Sequence, residues 1–429
     1  MANAYETLQA RGFFYQVTDA EGLHELLEEP RCFYVGFDPT ADSLHVGSLV
    51  PIMAMLQMQR HGHRPIAVVG GGTGMVGDPS GKTEARQLLT PEQLERNKVG
   101  LKAQLSRYLE FGGDQAMMVD NADWLMELSY VEFLRDIGVC FSVNRMLSAE
   151  SVKQRLESES GLSFLEFNYQ LLQAYDFLVL AERHDCLVQM GGQDQWGNIV
   201  AGTDLIRRKL SRQAYGATFP LIMNASGAKF GKTEAGTVWL DAGRTPPFDF
   251  YQFWRNCEDA DLKRFLGLFT LLPVDEVERL AAAEGKLINR AKEILAYEAT
   301  ALCHGRDAAA EAYRAAVKQF GASDAEGRLQ TSSAIREVAV AAVTDDGLPS
   351  TEIAASRLEG EGVAAIELFT ECGLCKSRGE ARRLVRGGGA SVNQQKITDE
   401  LARVTAADVS DGQILLSAGK KRHHRIVCG

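Results

Sequence analysis

The sequence predicts an α/β fold class, with a doubly wound parallel sheet in its N-terminal half. Short apolar runs there alternate with amphipathic helical stretches. Strand Cys32–Phe37, helix Gly47–His61 and strand Pro65–Val69 follow one another as a βαβ unit. The later strand candidates are Ala116–Val119 and Cys186–Met190. In such a sheet, ligands are expected at the carboxyl ends of the strands.

Two ordered segments and a linker are predicted after the sheet. Residues 246–320 show helical periodicity throughout. Residues 321–360 are richer in Gly, Ser, Thr, Asp and Ala, which predicts a linker with marginal structure. Order returns from Val363 to Cys428, with helices first and short strands after, as in a small α+β domain. The predicted boundaries are 1–220, 221–320, 321–360 and 361–429.

Composition indicates an ordinary globular protein of 429 residues, 45% hydrophobic and 24% charged. No apolar run has the length of a membrane span, and the first 12 residues lack a signal pattern. We therefore expect a cytoplasmic protein without a membrane partner. The eight cysteines are scattered, as reduced thiols would be. Cys372 and Cys375 leave a zinc site as an alternative, but without a second such pair the prediction is no metal site.

Charge is distributed unevenly along the chain. The formal net charge is −11, yet residues 362–429 hold 11 Lys and Arg against 7 Asp and Glu. That segment is therefore +4 and the remainder is −15. An acidic body with a basic end fits a protein that contacts RNA at selected places. A solvated charged tail is the alternative.

A glycine-rich segment after the second strand satisfies the GxGxxG pattern. It runs from Gly72 through Gly74 to Gly77 and makes a nicotinamide or flavin enzyme a competing hypothesis. The residues that follow are Asp78 and Pro79, which interrupt the helix that should receive a pyrophosphate. Dinucleotide binding is therefore not favoured.

Two Gly-Lys-Thr triplets resemble the end of a phosphate-binding P-loop. They contain Lys82 and Lys232. The glycine that the loop requires further upstream is replaced by Val76 and Ser226, so neither is a P-loop. Lys229 lies three residues before Lys232 on a glycine-flanked loop. Such a cation pair could close over a pyrophosphate, and Lys82 with Arg86 offers another pair. Solvated surface lysines are the alternative.

The loop after the first strand combines features of an anion site. It runs from Pro39 to Ser48 and leads into a helix, whose first backbone N–H groups favour an anion. Thr40 and His45 add donors that could stabilise phosphate charge. Gly47 would let a base or ribose approach the backbone. An ordinary βα loop is the alternative.

The segment Phe164–Leu180 predicts a helix that is apolar nearly all round and therefore buried. Tyr169, Gln173 and Asp176 fall at i, i+4 and i+7, on one face. Buried polar groups need partners. A small ligand with an ammonium and a hydroxyl group would supply them, and a polar contact to another core element is the alternative.

Four motifs, in this order and spacing, resemble the bacterial tyrosyl-tRNA synthetases. They are Tyr34–His45, the glycine-rich run 69–81, the Gly-Gly-Gln-Asp-Gln-Trp-Gly-Asn run 191–198 and Lys-Phe-Gly-Lys-Thr at 229–233. The likeness extends from about residue 5 to the end of the chain. It implies a Rossmann-like class I catalytic domain, then a flexible signature loop with a helical anticodon-region domain, then a small RNA-binding domain.

The resemblance implies activation of L-tyrosine by ATP and its transfer to tRNA(Tyr). The tyrosine carboxylate would attack the α-phosphate without a protein nucleophile, so positioning and charge would supply catalysis. The groups implied for the departing pyrophosphate are Thr40, His45, Lys82, Arg86, Lys229, Lys232 and Thr233. Those implied for ATP are Gly36, Asp38, Gly47, Ser48, Gly192, Asp194 and Lys232. Those implied for tyrosine are Asp78, Tyr169 and Gln173 at the ammonium, Tyr34 and Asp176 at the phenol, and Gln195, which also lines the nucleotide site.

The segment Ser377–Asn393 resembles the RNA-binding module named after ribosomal small-subunit protein four. Its implied tRNA-binding residues are Arg378, Arg382, Arg383 and Arg386. A solvated basic helix is the alternative. The resemblance further implies a homodimer, with ATP and Mg²⁺ entering as substrate and no tightly bound cofactor.

Two positions depart from the family's pattern. Ser48 stands where a second histidine is usual, and Gln193 where a small hydroxyl residue is commoner. We expect modest effects on ATP affinity from both. Three alternatives remain: a tryptophanyl-tRNA synthetase, a non-catalytic RNA-binding protein and a dehydrogenase. Tyr34 with Asp176 argues against the first, and the retained lysines argue against the second.

Overall fold

The computed structural model describes most of the chain. The described residues are 3–78, 90–157, 161–223, 230–233, 236–324, 326–339, 350–360, 362–393, 395–409, 412–419 and 422–428. They fall into two compact units. The first comprises Met1–Arg314 with Ala322–Val338, and the second comprises Ala315–Gly321 with Ala339–Gly429.

A six-stranded sheet forms the centre of the first unit, in the order β1-β6-β5-β2-β3-β4. Only β1 is antiparallel to its neighbour. The strands are β1 Gln16–Val17, β2 Cys32–Phe37, β3 Arg64–Val69, β4 Met117–Asp120, β5 Val188–Gly192 and β6 Tyr215–Phe219. The predicted parallel sheet is thus confirmed, and β2 begins and ends at the predicted residues.

The strand order reverses between β2 and β5. From β2 the chain adds β3 and β4 on one side, and it then returns to place β5 and β6 on the other. The connections after β2 and β5 therefore leave in opposite directions and open a crevice at the carboxyl ends of these two strands. The residues at this point are Phe37 on β2 and Gly192 on β5.

Helices cover the sheet, and their apolar faces pack against it and bury it. In this part of the chain they are α1 Ala4–Arg11, α2 Ala20–Leu26, α3 Leu49–Arg60, α4 Pro91–Leu105, α5 Ala122–Leu125, α6 Tyr130–Asp136, α7 Val143–Leu147, α8 Glu150–Glu157, α9 Phe164–Phe167, α10 Tyr169–His184 and α11 Trp196–Leu210. The predicted helix Phe164–Leu180 is thus two helices. They meet at Asn168, whose side chain donates to the Phe164 carbonyl at 2.7 Å.

Helices α10 and α11 pack closely because a glycine lies at their contact. A Cβ on Gly202 of α11 would come within 2.8 Å of the Phe177 ring on α10. Phe177 is fully buried and its ring lies 5.2 Å from that of Tyr34 on β2. This packing therefore fixes the distance between α10 and the first strand, and with it the position of Asp176 relative to Tyr34.

The predicted helical segment is confirmed and belongs to the same compact unit as the sheet through residue 314. Two short strands, β7 Lys232–Thr233 and β8 Gly236–Thr237, precede it as an antiparallel pair. Its helices are α12 Pro247–Arg255, α13 Leu262–Phe269, α14 Val274–Ala281, α15 Leu287–His304 and α16 Arg306–Phe320.

The second unit contains a five-stranded sheet in the order β12-β11-β14-β15-β9. A separate strand pair joins β10 and β13. The elements are β9 Ser350–Ile353, β10 Val363–Ala364, α17 Ala365–Glu371, α18 Arg378–Arg386, β11 Ala390–Val392, β12 Gln395–Ile397, β13 Arg403–Val404, β14 Gln413–Ala418 and β15 Arg422–Cys428. Phe369, Ala381 and Ile414 lie at the centre of its apolar core.

The structure differs from the predicted linker 321–360 at both of its ends. Near its start, Glu276 of α14 accepts hydrogen bonds from the Thr331 hydroxyl at 2.6 Å and the Ser332 amide at 2.9 Å. Near its end, β9 pairs with β15, and Leu358 is buried in the second core. The weak periodicity did not reveal these attachments because each depends on one or two residues.

Arg11 connects α1 to the helical segment. Its buried guanidinium donates to the carbonyls of Gly267 at 3.1 Å and Thr270 at 2.9 Å, and also contacts the Leu272 carbonyl. Burial lowers the pKa of Arg11 to about 10. The carbonyls at the end of α13 thereby receive partners that the helix itself cannot supply.

Arg11→Leu is expected to lower the free energy of unfolding by about 3 kcal/mol, because it leaves buried carbonyls without donors. The melting temperature, measured by calorimetry at a fixed scan rate, should fall by several degrees. The exposed Arg208 of α11 offers a matched control, and Arg208→Leu should leave it unchanged. Equal melting temperatures for the two variants would contradict this role of Arg11.

Candidate active site

A cavity of about 270 Å³ opens at the point where the strand order reverses. Its lining comes from β2 and β5, the glycine-rich segment after β3, and α10. Ten predicted site residues line it: Tyr34, Gly36, Asp38, Asp78, Tyr169, Gln173, Asp176, Gly192, Asp194 and Gln195. The structure thus brings together the residues predicted for tyrosine and most of those predicted for ATP.

A buried carboxylate lies at one end of the cavity. Asp176 accepts a hydrogen bond from Asn121 Nδ2 at 2.9 Å and another from Trp124 Nε1 at 2.7 Å. Burial raises the pKa of Asp176 to about 7, although both donors oppose the rise. The charged and neutral forms of Asp176 are therefore about equally populated near pH 7.

Two buried polar atoms of the same cavity lack a hydrogen-bond partner among the residues that the structure describes. They are the hydroxyl of Tyr34 and the amide oxygen of Gln189. The two residues are neighbours in register on β2 and β5. A buried polar atom without a partner costs about 1–3 kcal/mol. A ligand with polar groups at this end would remove that cost.

A second group of polar side chains is linked by hydrogen bonds at another wall of the cavity. Gln195 Nε2 donates to the Asp78 carboxylate at 2.7 Å. Asn198 Nδ2 donates to Gln173 Oε1 at 3.0 Å and to Gln195 Oε1 at 3.3 Å. The wall therefore presents a carboxylate and an oriented amide oxygen, and Tyr169 lies buried beside them in the cavity lining. Such acceptors suit a ligand ammonium.

The glycine-rich segment does not present its amides to a ligand. Gly71 N donates to Asp120 Oδ1 at 3.1 Å, and Gly72 N donates to Asn121 Oδ1 at 2.8 Å. The segment continues as a short 3₁₀ helix, Thr73–Met75, and not as the α-helix of a dinucleotide site. The GxGxxG pattern here holds one wall of the cavity, which removes the observation on which the dehydrogenase alternative depended.

His45 lies on an exposed loop held by the backbone. Its Nδ1 accepts the Gly47 amide at 3.0 Å, so the neutral ring carries its proton on Nε2. Its ring centroid lies 6.2 Å from that of Trp239, in an edge-to-face contact. Gly47 and Ser48 belong to the 3₁₀ helix Val46–Ser48, from which α3 continues. The predicted helix Gly47–His61 therefore begins with a tighter turn.

The structure does not describe every residue predicted for the phosphates. Thr40 is exposed on the same loop as His45. Lys232 and Thr233 form β7, and only their backbone is described. Lys82, Arg86 and Lys229 lie outside the described residues. The part of the site predicted to hold pyrophosphate stays a prediction.

Sequence reasoning missed four side chains that organise the cavity: Asn121, Trp124, Gln189 and Asn198. One signal was available for the first. Asn121 directly follows β4, and polar residues after parallel strands meet at one edge of a sheet. Gln189 is a polar residue inside an otherwise buried strand, which is a further sign of a ligand contact.

The predicted tRNA-binding arginines lie on one short helix of the second unit. All four are exposed on α18: Arg378, Arg382, Arg383 and Arg386. The opposite face buries Ala381 and Val385 in the apolar core. Arg386 pairs with Glu400, which reduces its availability to a phosphate. The helix thus presents a cationic face of the kind that follows an RNA backbone.

Metal and membrane features were sought in the described part of the chain. No group of three or more His, Cys, Asp and Glu side chains is placed there to hold a metal ion. None of the described helices combines the length and the apolar character that crossing a bilayer requires. All eight cysteines are free thiols.

Comparisons with known proteins identify the family of the chain. The family tRNA synthetases class I (W and Y) matches residues 27–321, and the tyrosine–tRNA ligase SYY-like C-terminal domain matches residues 340–426. A tyrosine–tRNA ligase of Desulfosudis oleivorans is 56% identical over 98% of both chains. One of Desulfatibacillum aliphaticivorans is 54% identical over 99% of this chain and 98% of its own.

A solved structure of a tyrosyl-tRNA synthetase is similar to three quarters of the chain. A C-terminally truncated mitochondrial tyrosyl-tRNA synthetase of Aspergillus nidulans is 30% identical, with a TM-score of 0.67. The alignment covers 75% of this chain and 95% of that one. The chain belongs to the class I tRNA synthetases for tryptophan and tyrosine, among the bacterial tyrosine–tRNA ligases.

Proposed function

We propose that the protein activates L-tyrosine with ATP and transfers the tyrosyl group to tRNA(Tyr). The observation that carries the choice of amino acid is the pair at the buried end of the cavity. There the Asp176 carboxylate lies with the Tyr34 hydroxyl, which has no partner among the described residues. The phenol of a tyrosine ligand could pair with both groups, because its hydroxyl can donate to the Asp176 carboxylate and accept from the Tyr34 hydroxyl.

The remaining groups of tyrosine fit the polar wall. Its ammonium would bind Asp78, Tyr169 and Gln173, whose acceptors face the same cavity. Phenylalanine would leave the buried groups at the phenol end unpaired, so it should be rejected strongly. Tyrosyl-tRNA synthetases are the standard example of such rejection, with discrimination of about 10⁵.

The chemical step needs positioning more than a protein nucleophile. A tyrosine carboxylate oxygen bonds to the α-phosphorus of ATP, and the bond from that phosphorus to the bridging oxygen breaks. Pyrophosphate leaves with the electron pair. His45 and Thr40, which are exposed on the loop after β2, would donate to the phosphates. The other groups proposed for this task are Lys82, Arg86, Lys229, Lys232 and Thr233.

ATP would lie over the strand ends beside the tyrosine. The residues proposed to line its site are Gly36, Asp38, Gly47, Ser48, Gly192, Asp194, Gln195 and Lys232. Mg²⁺ would enter with the ATP phosphates, whose charge it neutralises. The acidic side chains described here form no dedicated group for it. In the second step a ribose hydroxyl of the terminal adenosine of tRNA attacks the tyrosyl carbonyl, and AMP leaves.

The proposed partners extend to tRNA and a second copy of the chain. The exposed arginines of α18 would contact the tRNA backbone.

Large apolar side chains are exposed within one stretch of the chain, from the end of α5 to the start of α9, and this favours a homodimer. Their exposed fractions are 63% for Met126, 61% for Tyr130, 72% for Val131, 73% for Val139, 58% for Val143 and 69% for Phe164. The free thiols fit a reducing compartment, and we propose the cytoplasm.

The test of the activation step is exchange of labelled pyrophosphate into ATP without tRNA. Tyrosine should support exchange, whereas phenylalanine and tryptophan should not, because only tyrosine satisfies Asp176 and Tyr34. Exchange with tryptophan would contradict the assignment of the phenol end. Folded protein that binds tRNA but exchanges with none of the three would contradict the catalytic function and favour an RNA-binding protein.

Tyrosine binding in the absence of ATP is expected to weaken as the pH falls from 8 to 6. Burial raises the pKa of Asp176 to about 7. The carboxyl group is then about nine-tenths ionised at pH 8 and about one-tenth at pH 6. The ionised form is the stronger acceptor for the phenol, so the dissociation constant should rise about tenfold.

Equilibrium dialysis at each pH measures this constant. Asp176→Asn provides the control, because it cannot ionise and should bind tyrosine weakly but equally at both pH values. A pH-independent dissociation constant in the unsubstituted protein would show that Asp176 stays in one protonation state over this range.

The homodimer is tested by charging its proposed face. Val131→Asp combined with Val139→Asp should convert the dimer to monomers, because two carboxylates would be buried without partners. Sedimentation equilibrium gives the molecular mass. Val99→Asp on α4 is the control. Val99 is 71% exposed and lies outside the stretch of the chain proposed to form the dimer face. A monomeric unsubstituted protein, or a double variant that stays dimeric, would contradict the proposed face.

A further inference from the structure

Phe230 places its ring among four others from the helical segment. The ring centroids lie 5.4 Å from Phe253 and 5.6 Å from Trp254, both on α12. The centroid of the Phe230 ring also lies 5.0 Å from that of Phe265 and 5.5 Å from that of Phe269, both on α13. The rings of Phe269 and Phe230 are nearly parallel. Phe230 is thus held by two helices that lie outside the cavity lining.

The partners of Phe230 form a rigid site for its ring. Trp254, Phe265 and Phe269 are buried to within 3% of complete. Each aromatic pair contributes about 0.5–1.5 kcal/mol beyond the area that it buries. The backbone at Phe230 is also fixed, because its amide donates to the Ile222 carbonyl at 3.2 Å. The position of Phe230 is therefore determined by the helical segment.

The next residue lies directly against the loop of His45. Gly231 has φ +83°, and a Cβ there would come within 2.5 Å of Val46 Cγ2. Only glycine meets both conditions. The Val46 amide donates to the Val238 carbonyl at 3.0 Å, and the Val238 amide donates to the Gly231 carbonyl at 2.9 Å. Val46, Val238 and Gly231 thus form a continuous backbone ladder.

This ladder fixes where β7 begins relative to His45. Lys232 and Thr233 follow Gly231 without an intervening residue and pair with Thr237 and Gly236. On the other side of the ladder, His45 forms an isolated bridge with Trp239. These pairings therefore fix the backbone of β7 relative to the His45 loop. Phe230 directly precedes Gly231, the residue at which this pairing begins.

We propose that Phe230 is a positioning residue for the activation step. Its ring, held by α12 and α13, sets the register of β7 against the His45 loop and so places the backbone of Lys232 relative to the phosphates. The inference rests on the proposed function. The inference adds a role for a side chain that does not line the cavity. It also makes the helical segment part of the activation machinery.

The experiment compares Phe230→Ala and Phe230→Met with the unsubstituted full-length protein. Stopped-flow fluorescence gives the rate of tyrosyl-adenylate formation and its dependence on ATP, and equilibrium dialysis gives the tyrosine dissociation constant. Phe230→Ala should lower the rate about 10²-fold, as expected for a misplacement of about 1 Å. Tyrosine affinity should stay within about twofold, since the phenol end lies on other elements.

Methionine should restore most of the rate, because its flexible thioether packs well against aromatic rings. Leu280→Ala is the matched control. Leu280 is fully buried on α14, which contributes no ring to the group around Phe230. The substitution should lower the melting temperature through the cavity that it leaves, while the rate of adenylate formation stays unchanged.

Three results would overturn the inference. The first is a rate for Phe230→Ala within about threefold of the unsubstituted protein, far from the effect of a misplaced group. The second is an equal loss of rate in Leu280→Ala, and the third is a parallel loss of tyrosine affinity in Phe230→Ala. Either of these would indicate general destabilisation. An unsubstituted protein without tyrosine-dependent pyrophosphate exchange would contradict the proposed function itself, so the two failures are distinguishable.

Discussion

The burial of the Asp176 carboxylate is the constraint on which the cavity depends. Burial raises its pKa to about 7, so the two donors Asn121 and Trp124 only partly offset the cost of desolvation. Asn121 also accepts the amides of Gly72 and Thr73 through its other amide atom. One side chain thus keeps the carboxylate in place and holds the glycine-rich wall, so the phenol end and that wall form a single hydrogen-bonded structure.

The partnerless atoms beside Asp176 extend the same reasoning to specificity. The Tyr34 hydroxyl and the Gln189 amide oxygen are buried at adjacent register positions and lack partners among the described residues. A protein under selection for stability alone would fill such positions with apolar groups. Their cost is recovered only when a ligand with matching polar groups binds, and a ligand without them leaves the cost in place. In the proposed function, discrimination against phenylalanine therefore comes from buried polar atoms that tyrosine would pair and phenylalanine would leave unpaired.

Periodicity and motif spacing predicted those parts of the site that lie on one element. Tyr169, Gln173 and Asp176 share a helix face, and strand β2 places Tyr34 at its buried centre. The position of Asn121 directly after β4 indicated the sheet edge, but its partners there depend on β4 lying beside β3, which no local pattern encodes. The glycine-rich segment was ambiguous for the same reason. Whether its amides face a ligand or the protein depends on the side chains that follow a neighbouring strand.

The two ends of the site differ in how they are built. The phenol end is made of buried side chains on strands and helices of the core, where opening requires the free energy of nearly the whole unit. The proposed phosphate end carries the exposed Thr40 and His45 on one loop. Backbone hydrogen bonds join that loop to Gly231 through the buried Val46 and Val238. Groups on such loops keep their geometry only if something rigid holds the loop ends. We propose that the rings packed around Phe230 hold this loop end rigidly. These rings belong to α12 and α13, which do not line the cavity. In the proposed function, amino-acid choice therefore depends on the sheet and α10, whereas the rate of activation depends on the packing of the helical segment around Phe230.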